Sequence, residues 1–328
     1  MAYADPAEQA ALRETARAFF SRARGPQAWK RLAAELGLTG LAVPSRYGGA
    51  GASLAEVAVA VEEAGRVLLP LPYLSTALAG AVLGEAPDEA AGFLPGIADG
   101  SLRAAFVFTG ELTIADRRVS GTARHVLDGA VADLFVVRAG GSLYAVRAES
   151  VTVSPVHTLD QTRTQAAVSF LDSAAVPVGA DPERAEELLR VMLAAESAGA
   201  AAHCLEVTVE YLKTRVQFGR PIGSFQALRH RCADLAVEVA SAQATARAAV
   251  HAAVGAPDRL PVLGPLAKRH CADVFWHVAA EMIQLHGGIG FTWEHDAHRY
   301  LKRAKTTQLL HGSPAELRRL VAQRAGLS

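Results

Sequence analysis

Hydrophobic residues recur at helical spacing through the first hundred residues of the chain. Ser53 stands three residues before Glu56, which predicts a helix start with a capping box. The helix that opens there is predicted to run toward Gly65. Its apolar positions, which are available for burial, are Val57, Val59, Val61 and Ala64.

The pattern changes at Ala104. Short runs rich in β-branched and aromatic residues follow one another, separated by Gly, Asp and Ser, until about Val178. Apolar runs of this length and spacing predict a small antiparallel β-domain.

Helical spacing returns at Pro182 and continues to the end. We predict long helices over residues 184–213, 225–254 and 263–285, and a last helix that starts near Pro314. Long helices joined by short loops indicate an antiparallel bundle. The predicted fold class is α+β, mostly α. The predicted domains are a helical domain (1–103), a β-domain (104–182) and a helical bundle (183–328).

Composition and charge narrow the classes of function. The 328 residues include 33 basic and 33 acidic side chains, and 51% are hydrophobic. This hydrophobic content excludes disorder as the main state, and a net charge of zero argues against binding nucleic acid or a membrane surface. Three widely spaced cysteines indicate a reducing compartment. No segment is typical of a signal peptide or a membrane span, and we predict a cytoplasmic protein.

The segment RVQFGRPIGSFQ, residues 215–226, connects two predicted helices. Gly219 and Pro221 favour a turn there. Arg215 could bind a phosphate while Phe218 offers an aromatic face, so an anion site is one interpretation. An ordinary connection between helices with solvated arginines is the other.

The segment QLHGGIGF, residues 284–291, contains two adjacent glycines that would let a ligand approach the backbone closely. A plain helix end is the alternative. Because the segment does not follow a strand, the dinucleotide fingerprint does not apply.

Two further segments have structural interpretations. In WEHDAH, residues 293–298, the spacing fits no known zinc pattern, so we expect no metal site and a helix start with Asp296 in its first turn. In HGSPAE, residues 311–316, Ser313 is expected to cap a helix that has Pro314 at its first position and Glu316 three residues on. Only His311 is left without a structural role.

In this order and on this layout, the motifs resemble those of the acyl-CoA dehydrogenase family. The similarity extends over nearly the whole chain, and its most specific parts are RVQFGRPIGSFQALRHRCADL and QLHGGIGFTWEHDAHRYLKRAK. The resemblance implies an N-terminal helical domain, a middle β-domain and a C-terminal four-helix bundle. It also implies an FAD cofactor and the oxidation of an acyl-CoA thioester at Cα–Cβ, which needs a carboxylate base at the α-carbon.

The resemblance further implies which residues contact FAD. One group of family residues reaches across a dimer to the FAD seated in the neighbouring subunit, with Arg215 at the phosphates. The residues of this chain that match FAD contacts of the family are Arg215, Gln217, Phe218, Gln226, Gln284, Gly287, Gly288 and Ser313.

The group that would hold a flavin within the same subunit is eroded. The family's Thr-Glu-Pro stretch is absent near residues 108–111, and Leu127 stands where the flavin wall has a threonine. The two family positions for the base hold His311 and Leu189 instead of glutamate. Glu186 and Glu187 lie near the second position but do not coincide with it.

These differences indicate the partner subunit of an α2β2 acyl-CoA dehydrogenase, similar to the non-catalytic subunits of actinobacterial sterol side-chain degradation. Such a chain would pair with a paralogous catalytic subunit. Two alternatives remain: a homo-oligomeric dehydrogenase whose displaced base is His311, Glu187 or Glu186, and a non-oxidising acyl-thioester-binding module. Sterol, branched-chain and polyketide thioesters are all open as substrates.

Overall fold

The computed structural model describes residues 6–25, 27–85 and 88–327. Its described elements follow the predicted order of helices, strands and helices, so the mostly helical α+β class is confirmed.

The first region consists of helices packed around one core. Ser53 and Glu56 form the predicted capping box, in which the Ser53 amide donates to the Glu56 carboxylate at 2.8 Å. The helix that follows buries all four of its predicted core residues. The helices are α1 (Pro6–Phe20), α2 (Ala28–Leu36), α3 (Leu54–Arg66), α4 (Tyr73–Gly84), α5 (Asp88–Ala91) and α6 (Leu94–Ala98).

The β-region contains two four-stranded sheets, in the orders β1-β4-β5-β8 and β2-β3-β7-β6. Between them lies a separate apolar core that includes Phe135 and Phe170, whose ring centres are 6.2 Å apart. The strands are β1 (Ala104–Val107), β2 (Glu111–Ala115), β3 (Arg118–Leu127), β4 (Leu134–Ala139), β5 (Ser142–Arg147), β6 (Val151–Pro155), β7 (Gln165–Ala174) and β8 (Val176–Val178).

The prediction of a purely antiparallel domain is wrong at one pair. Strand β1 runs parallel to β4, with Ala104 opposite Leu134. The chain leaves β1 to form the β2–β3 hairpin in the other sheet, and it then re-enters the first sheet in its original direction. Such a crossover between sheets is what a parallel pair requires.

The last region contains the long helices. The predicted ends of the first three agree with the structure to within about three residues. The helices are α7 (Pro182–Thr214), α8 (Gln226–Gly255), α9 (Leu260–His286), α10 (Ala297–Leu309) and α11 (Pro314–Arg324). A two-stranded hairpin of β9 (Val216–Gln217) and β10 (Arg220–Pro221) joins α7 to α8.

Helix α7 lies at the centre of the molecule. A Cβ atom on Gly199 would overlap the carbonyl oxygen of Glu62, and one on Gly65 would overlap that of Glu196. These two glycines therefore let α3 and α7 cross in backbone contact. Within the described residues, α7 is the one helix long and apolar enough to cross a membrane, and 89% of its most apolar stretch is buried inside the protein. It behaves as a core helix.

Candidate functional site

The hairpin between α7 and α8 presents Arg215 and Phe218 to solvent. Residues 213–221 are all exposed, and Phe218 is 91% exposed with a positive φ of 54°. The Arg215 side chain makes no hydrogen bond or ion pair with any residue that the structure describes. It is therefore free to bind an anion, as the phosphate interpretation requires.

The glycine segment after α9 has an open backbone. Helix α9 ends at His286, and Gly287 follows with φ of 63°. A Cβ atom on Gly287 or on Gly288 would meet nothing within 4 Å, and Gln284 is exposed beside them. A ligand can thus approach the backbone of both glycines.

Aromatic stacking holds these two segments side by side. Tyr211, near the end of α7, stacks on His286 with ring centres 4.4 Å apart, and His286 contacts His295 at 4.3 Å. We call residues 215–226 and 284–291 the hairpin–glycine surface. Large apolar side chains are exposed on it and just beyond it: Val216, Phe218, Ile289, Phe291 and Trp293. Exposed apolar groups concentrated in this way mark a binding surface.

The hairpin–glycine surface has groups whose chemistry suits the adenosine diphosphate part of an FAD. It offers an unpaired guanidinium, an exposed aromatic ring and open glycine backbone. Gln226 and Gln284 are exposed there as well, whereas the Gln217 amide donates to the carbonyl of Val216 at 2.8 Å. Ser313 lies elsewhere: it forms the predicted capping box of α11 with Glu316, which occupies its hydroxyl.

The start of α10 differs from the prediction. Asp296 is at the N-cap position but its side chain makes no cap bond. Instead, Nδ1 of His295 accepts the amide of Ala297 at 3.1 Å, and Asp296 pairs with Arg299. The helix starts one residue after Asp296, so Asp296 is not in its first turn, and the preceding imidazole takes the capping role.

At the position that matches the family's flavin wall, both Leu127 and Asp128 are buried. Leu127 is 3% exposed at the end of β3. Asp128 follows with φ of 59°, and its carboxylate accepts a hydrogen bond from the Ser75 hydroxyl at 2.8 Å. Burial raises the pKa of Asp128 to about 6, against the opposing effects of Ser75, Arg163 and Arg303.

Beside this wall lies a buried cluster of charges, the junction network, formed by Asp128, Asp160, Arg163, Glu196 and Arg303. Nε of Arg303 lies 2.8 Å from Asp160, and its Nη1 lies 3.0 Å from Glu196. Arg163 bridges the same two carboxylates at 3.3 and 2.9 Å. The network joins the β6–β7 connection to α7 and α10, and Ser75 links it to α4. Sequence reasoning missed it.

The space that Leu127 and the junction network enclose is too small for a cofactor ring. The cavity between Leu127, Asp128, Arg163 and Arg303 measures about 10 Å³. This volume is about that of one water molecule. The residues present therefore do not fit a flavin ring at the position where the resemblance would place the chain's own.

The raised pKa of Asp128 predicts that stability falls as the pH rises from about 4 to about 6. Over that range the folded chain holds a proton that the unfolded chain, with a pKa of 3.8, has released. Asp128→Asn stays neutral at every pH. We expect it to raise the free energy of unfolding above pH 6 by about 2 to 3 kcal/mol, and urea unfolding measures the change.

Asp133→Asn is the matched control. Burial opposes ionisation at Asp133, but the hydrogen bonds from Arg103 lower the pKa of its carboxyl below the usual value. The ionised Asp133 carboxylate therefore stabilises the folded chain at neutral pH, and this stabilisation is lost as the pH falls. Asp133→Asn should lower the free energy of unfolding at neutral pH. If Asp128→Asn also lowered stability at neutral pH, the account of the junction network would be wrong.

At the first family position for the base, His311 is half-buried. Both ring nitrogens are shielded from solvent and have no hydrogen-bond partner among the described residues. The Phe108 ring lies nearly perpendicular to the imidazole, at 6.2 Å between ring centres. Burial, together with the nearby charges of Lys268 and Arg190, lowers the pKa of His311 to about 3.

Two cations hold the loop around His311. The ammonium of Lys268 donates to the carbonyls of Gln308 and Gly312 at 2.9 and 2.6 Å, and Nε of Arg190 donates to that of His311 at 3.2 Å. Burial, aided by Arg190, lowers the pKa of Lys268 to about 7. The loop is thus clamped with a positive φ of 53° at His311.

The second family position is apolar, because Leu189 is 1% exposed. Glu187 is buried between Arg190 and Arg324, both at 2.5 Å, and burial raises its pKa in spite of these partners. Glu186 pairs with Arg190 and with Arg138. Arg190 thus contacts both glutamates and the His311 carbonyl, and neither carboxylate is left unpaired.

Comparisons with known proteins match most of the chain. The model of the acyl-CoA dehydrogenase N-terminal domain matches residues 6–101, and that of the acyl-CoA dehydrogenase C-terminal domain matches residues 186–326. "Acyl-CoA dehydrogenase IpdE2" of Mycobacterium tuberculosis is 39% identical, over 97% of this chain and 98% of that protein.

Two solved structures resemble the whole chain. One is a variant of a "Tcur3481-Tcur3483 steroid ACAD", with a TM-score of 0.90, 27% identity and 98% of each chain covered. The other is the "ChsE4-ChsE5 complex from Mycobacterium tuberculosis", with a TM-score of 0.90, 24% identity and 100% of each chain covered. At that identity the second likeness shows the fold alone. Each of these two structures is named after a pair of different proteins.

Proposed function

Because the chain belongs to the acyl-CoA dehydrogenase family, we propose that it is the partner subunit of a hetero-oligomeric, FAD-dependent acyl-CoA dehydrogenase. It pairs with a paralogous subunit that carries the glutamate base, in an α2β2 heterotetramer. The likeness to a steroid acyl-CoA dehydrogenase built from two different proteins supports both the pairing and a steroid-derived acyl-CoA as substrate. We place the complex in the cytoplasm.

FAD supplies the hydride acceptor when it is bound. This chain contributes binding and orientation to an FAD seated in the paralogous subunit. Arg215 pairs with its phosphates, Phe218 covers it, and Gln226 and Gln284 donate hydrogen bonds. The open backbone at Gly287 and Gly288 lets the adenosine diphosphate part lie close to this subunit.

The shielding of both ring nitrogens of His311 is the observation that carries the proposal. A catalytic base must reach the α-carbon proton with a free lone pair and must hold that proton near the working pH. The ring nitrogens of His311 are shielded, and its pKa is about 3. The carboxylates of Glu186 and Glu187 form ion pairs with Arg190, and Leu189 has no titratable group. This arrangement supports a subunit that leaves proton abstraction to its partner.

A comparison of three preparations tests this proposal. We expect the chain purified alone to oxidise no acyl-CoA, the complex with the paralogous subunit to be active, and the complex with His311→Leu to be about as active. Replacing the paralogous subunit's base with glutamine is the positive control, and it should abolish turnover. If the chain alone oxidised an acyl-CoA, or His311→Leu removed activity from a folded complex, the proposal would be wrong.

A further inference from the structure

A cleft of about 540 Å³ lies between the end of α1, the connection from α3 to α4, the middle of α7 and the first half of α10. This volume is in the range of small-molecule sites. Its polar lining includes Arg24, Arg299 and Lys302, its aromatic lining Trp293 and Tyr300, and its apolar lining Leu68. Apart from Trp293, which lies just beyond the hairpin–glycine surface, none of these residues belongs to the site described above.

The cleft carries uncompensated positive charge. Of its two carboxylates, Asp160 is neutralised by Arg303 at 2.8 Å, and Asp296 by Arg299 at 3.2 Å. Lys302 has no carboxylate partner among the described residues. Arg24 donates hydrogen bonds through Nη1, to the carbonyls of Phe20 and Ala23. Its Nε and Nη2 groups make no hydrogen bond to any residue that the structure describes, so they can bind an anion.

The two imidazoles of the cleft add no charge at neutral pH. Burial, together with Arg66, lowers the pKa of His203, and burial together with Lys302 lowers that of His298. Both rings are therefore neutral and enlarge the aromatic part of the wall. His203 lies 5.5 Å from the Tyr300 ring, and His298 lies 4.5 Å from the Trp293 ring in an edge-on contact.

Trp293 provides an exposed planar surface. It is 74% exposed, and Nζ of Lys302 lies 4.4 Å from its ring centre. The ammonium lies over the indole ring and has no carboxylate partner among the described residues. This pair suits a ligand that has both a flat ring and an anionic group, because aromatic side chains stack on bases and cations bind phosphate.

We propose that this cleft is a nucleotide-binding site, in which the base stacks on Trp293 and the phosphates contact Lys302 and Arg24. The site is distinct from the hairpin–glycine surface, and it does not depend on the proposed partner subunit. Two cations without acidic partners, a stacking indole and a cavity of suitable size are the features that specify it.

Calorimetric titration of the full chain with ADP tests the site. We expect Lys302→Met to weaken ADP binding about tenfold, because a charge-assisted contact is lost. Trp293→Leu should weaken it by a similar factor through loss of stacking, again about tenfold. Lys30→Met is the matched control: this exposed lysine on α2 does not line the cleft, so the affinity should be unchanged.

Arg215→Met separates this inference from the proposed function. We expect that variant to keep the ADP binding that Lys302→Met and Trp293→Leu weaken, although it weakens FAD binding in the complex and any ADP binding at the hairpin–glycine surface. If Arg215→Met abolished ADP binding while Lys302→Met did not, the nucleotide would lie on the hairpin–glycine surface and the cleft proposal would be wrong. No heat of binding at millimolar ADP would equally overturn it.

Discussion

Arg303→Met is expected to lower the free energy of unfolding by about 3 to 5 kcal/mol, the cost of removing one partner from a buried ion pair. Arg303 is 1% exposed and contacts Asp160, Glu196 and the hydroxyl of Thr162. Methionine keeps much of the apolar stem but no charge. Arg163 alone would then have to compensate both carboxylates, together with Asp128 nearby.

Urea unfolding followed by circular dichroism measures this effect, and Arg118→Met is its matched control. Arg118 forms an ion pair with Asp172 on the exposed face of the β-region. Pairs in that setting contribute little because solvent screens them. We expect the control to shift the unfolding midpoint far less than Arg303→Met. Equal midpoints for the two variants would show that the junction network does not hold the three regions together.

Arg215→Met is expected to weaken FAD binding to the complex by about 10- to 100-fold. A charge-assisted hydrogen bond contributes about 1.5 to 3 kcal/mol, which corresponds to that range. Arg215 has no partner within the described chain, so its loss removes a contact to the cofactor and no internal one. The stability of the chain itself should stay unchanged.

Flavin fluorescence during dilution of the complex gives the dissociation constant. Arg215→Lys should give an intermediate value, because an ammonium keeps the charge but not the two-pronged geometry of a guanidinium. Arg318→Met, at an exposed position on α11, is the control and should leave the affinity unchanged. Retention of full FAD affinity by Arg215→Met would remove the basis for contacts from this subunit.

Helices and their caps were predictable because their signals are local. The period of apolar residues located α7, α8 and α9, and the serine–glutamate spacing located the starts of α3 and α11. Each of these depends on residues within one or two turns. The candidate binding groups at Arg215 and at the two glycines were also predictable, because each lies in a short segment of consecutive residues.

The junction network could not be predicted because its members are far apart in the chain. Asp128, Glu196 and Arg303 are brought together only when the β-region packs against α7 and α10. The parallel pairing of β1 with β4 has the same origin, since it depends on a crossover between two sheets. Local patterns specify strands but not which sheet each one joins.

The base positions show the same limit. The resemblance to the family placed His311 and Leu189 at the base positions and Glu186 and Glu187 near the second. It could not show that Arg190 binds both glutamates and the His311 carbonyl at once. This shared contact ties the two glutamates of α7 to the loop that carries His311.

The number of FAD molecules per pair of subunits tests the central claim most directly. In the purified complex, flavin absorbance divided by the concentration of each chain should give one FAD for one copy of this chain and one copy of the paralogous subunit. The space beside Leu127 and the junction network is too small for a flavin ring, and we propose that the hairpin–glycine surface contacts the FAD of the other subunit. Two FAD molecules per pair, or one FAD per chain in this subunit purified alone, would contradict the account.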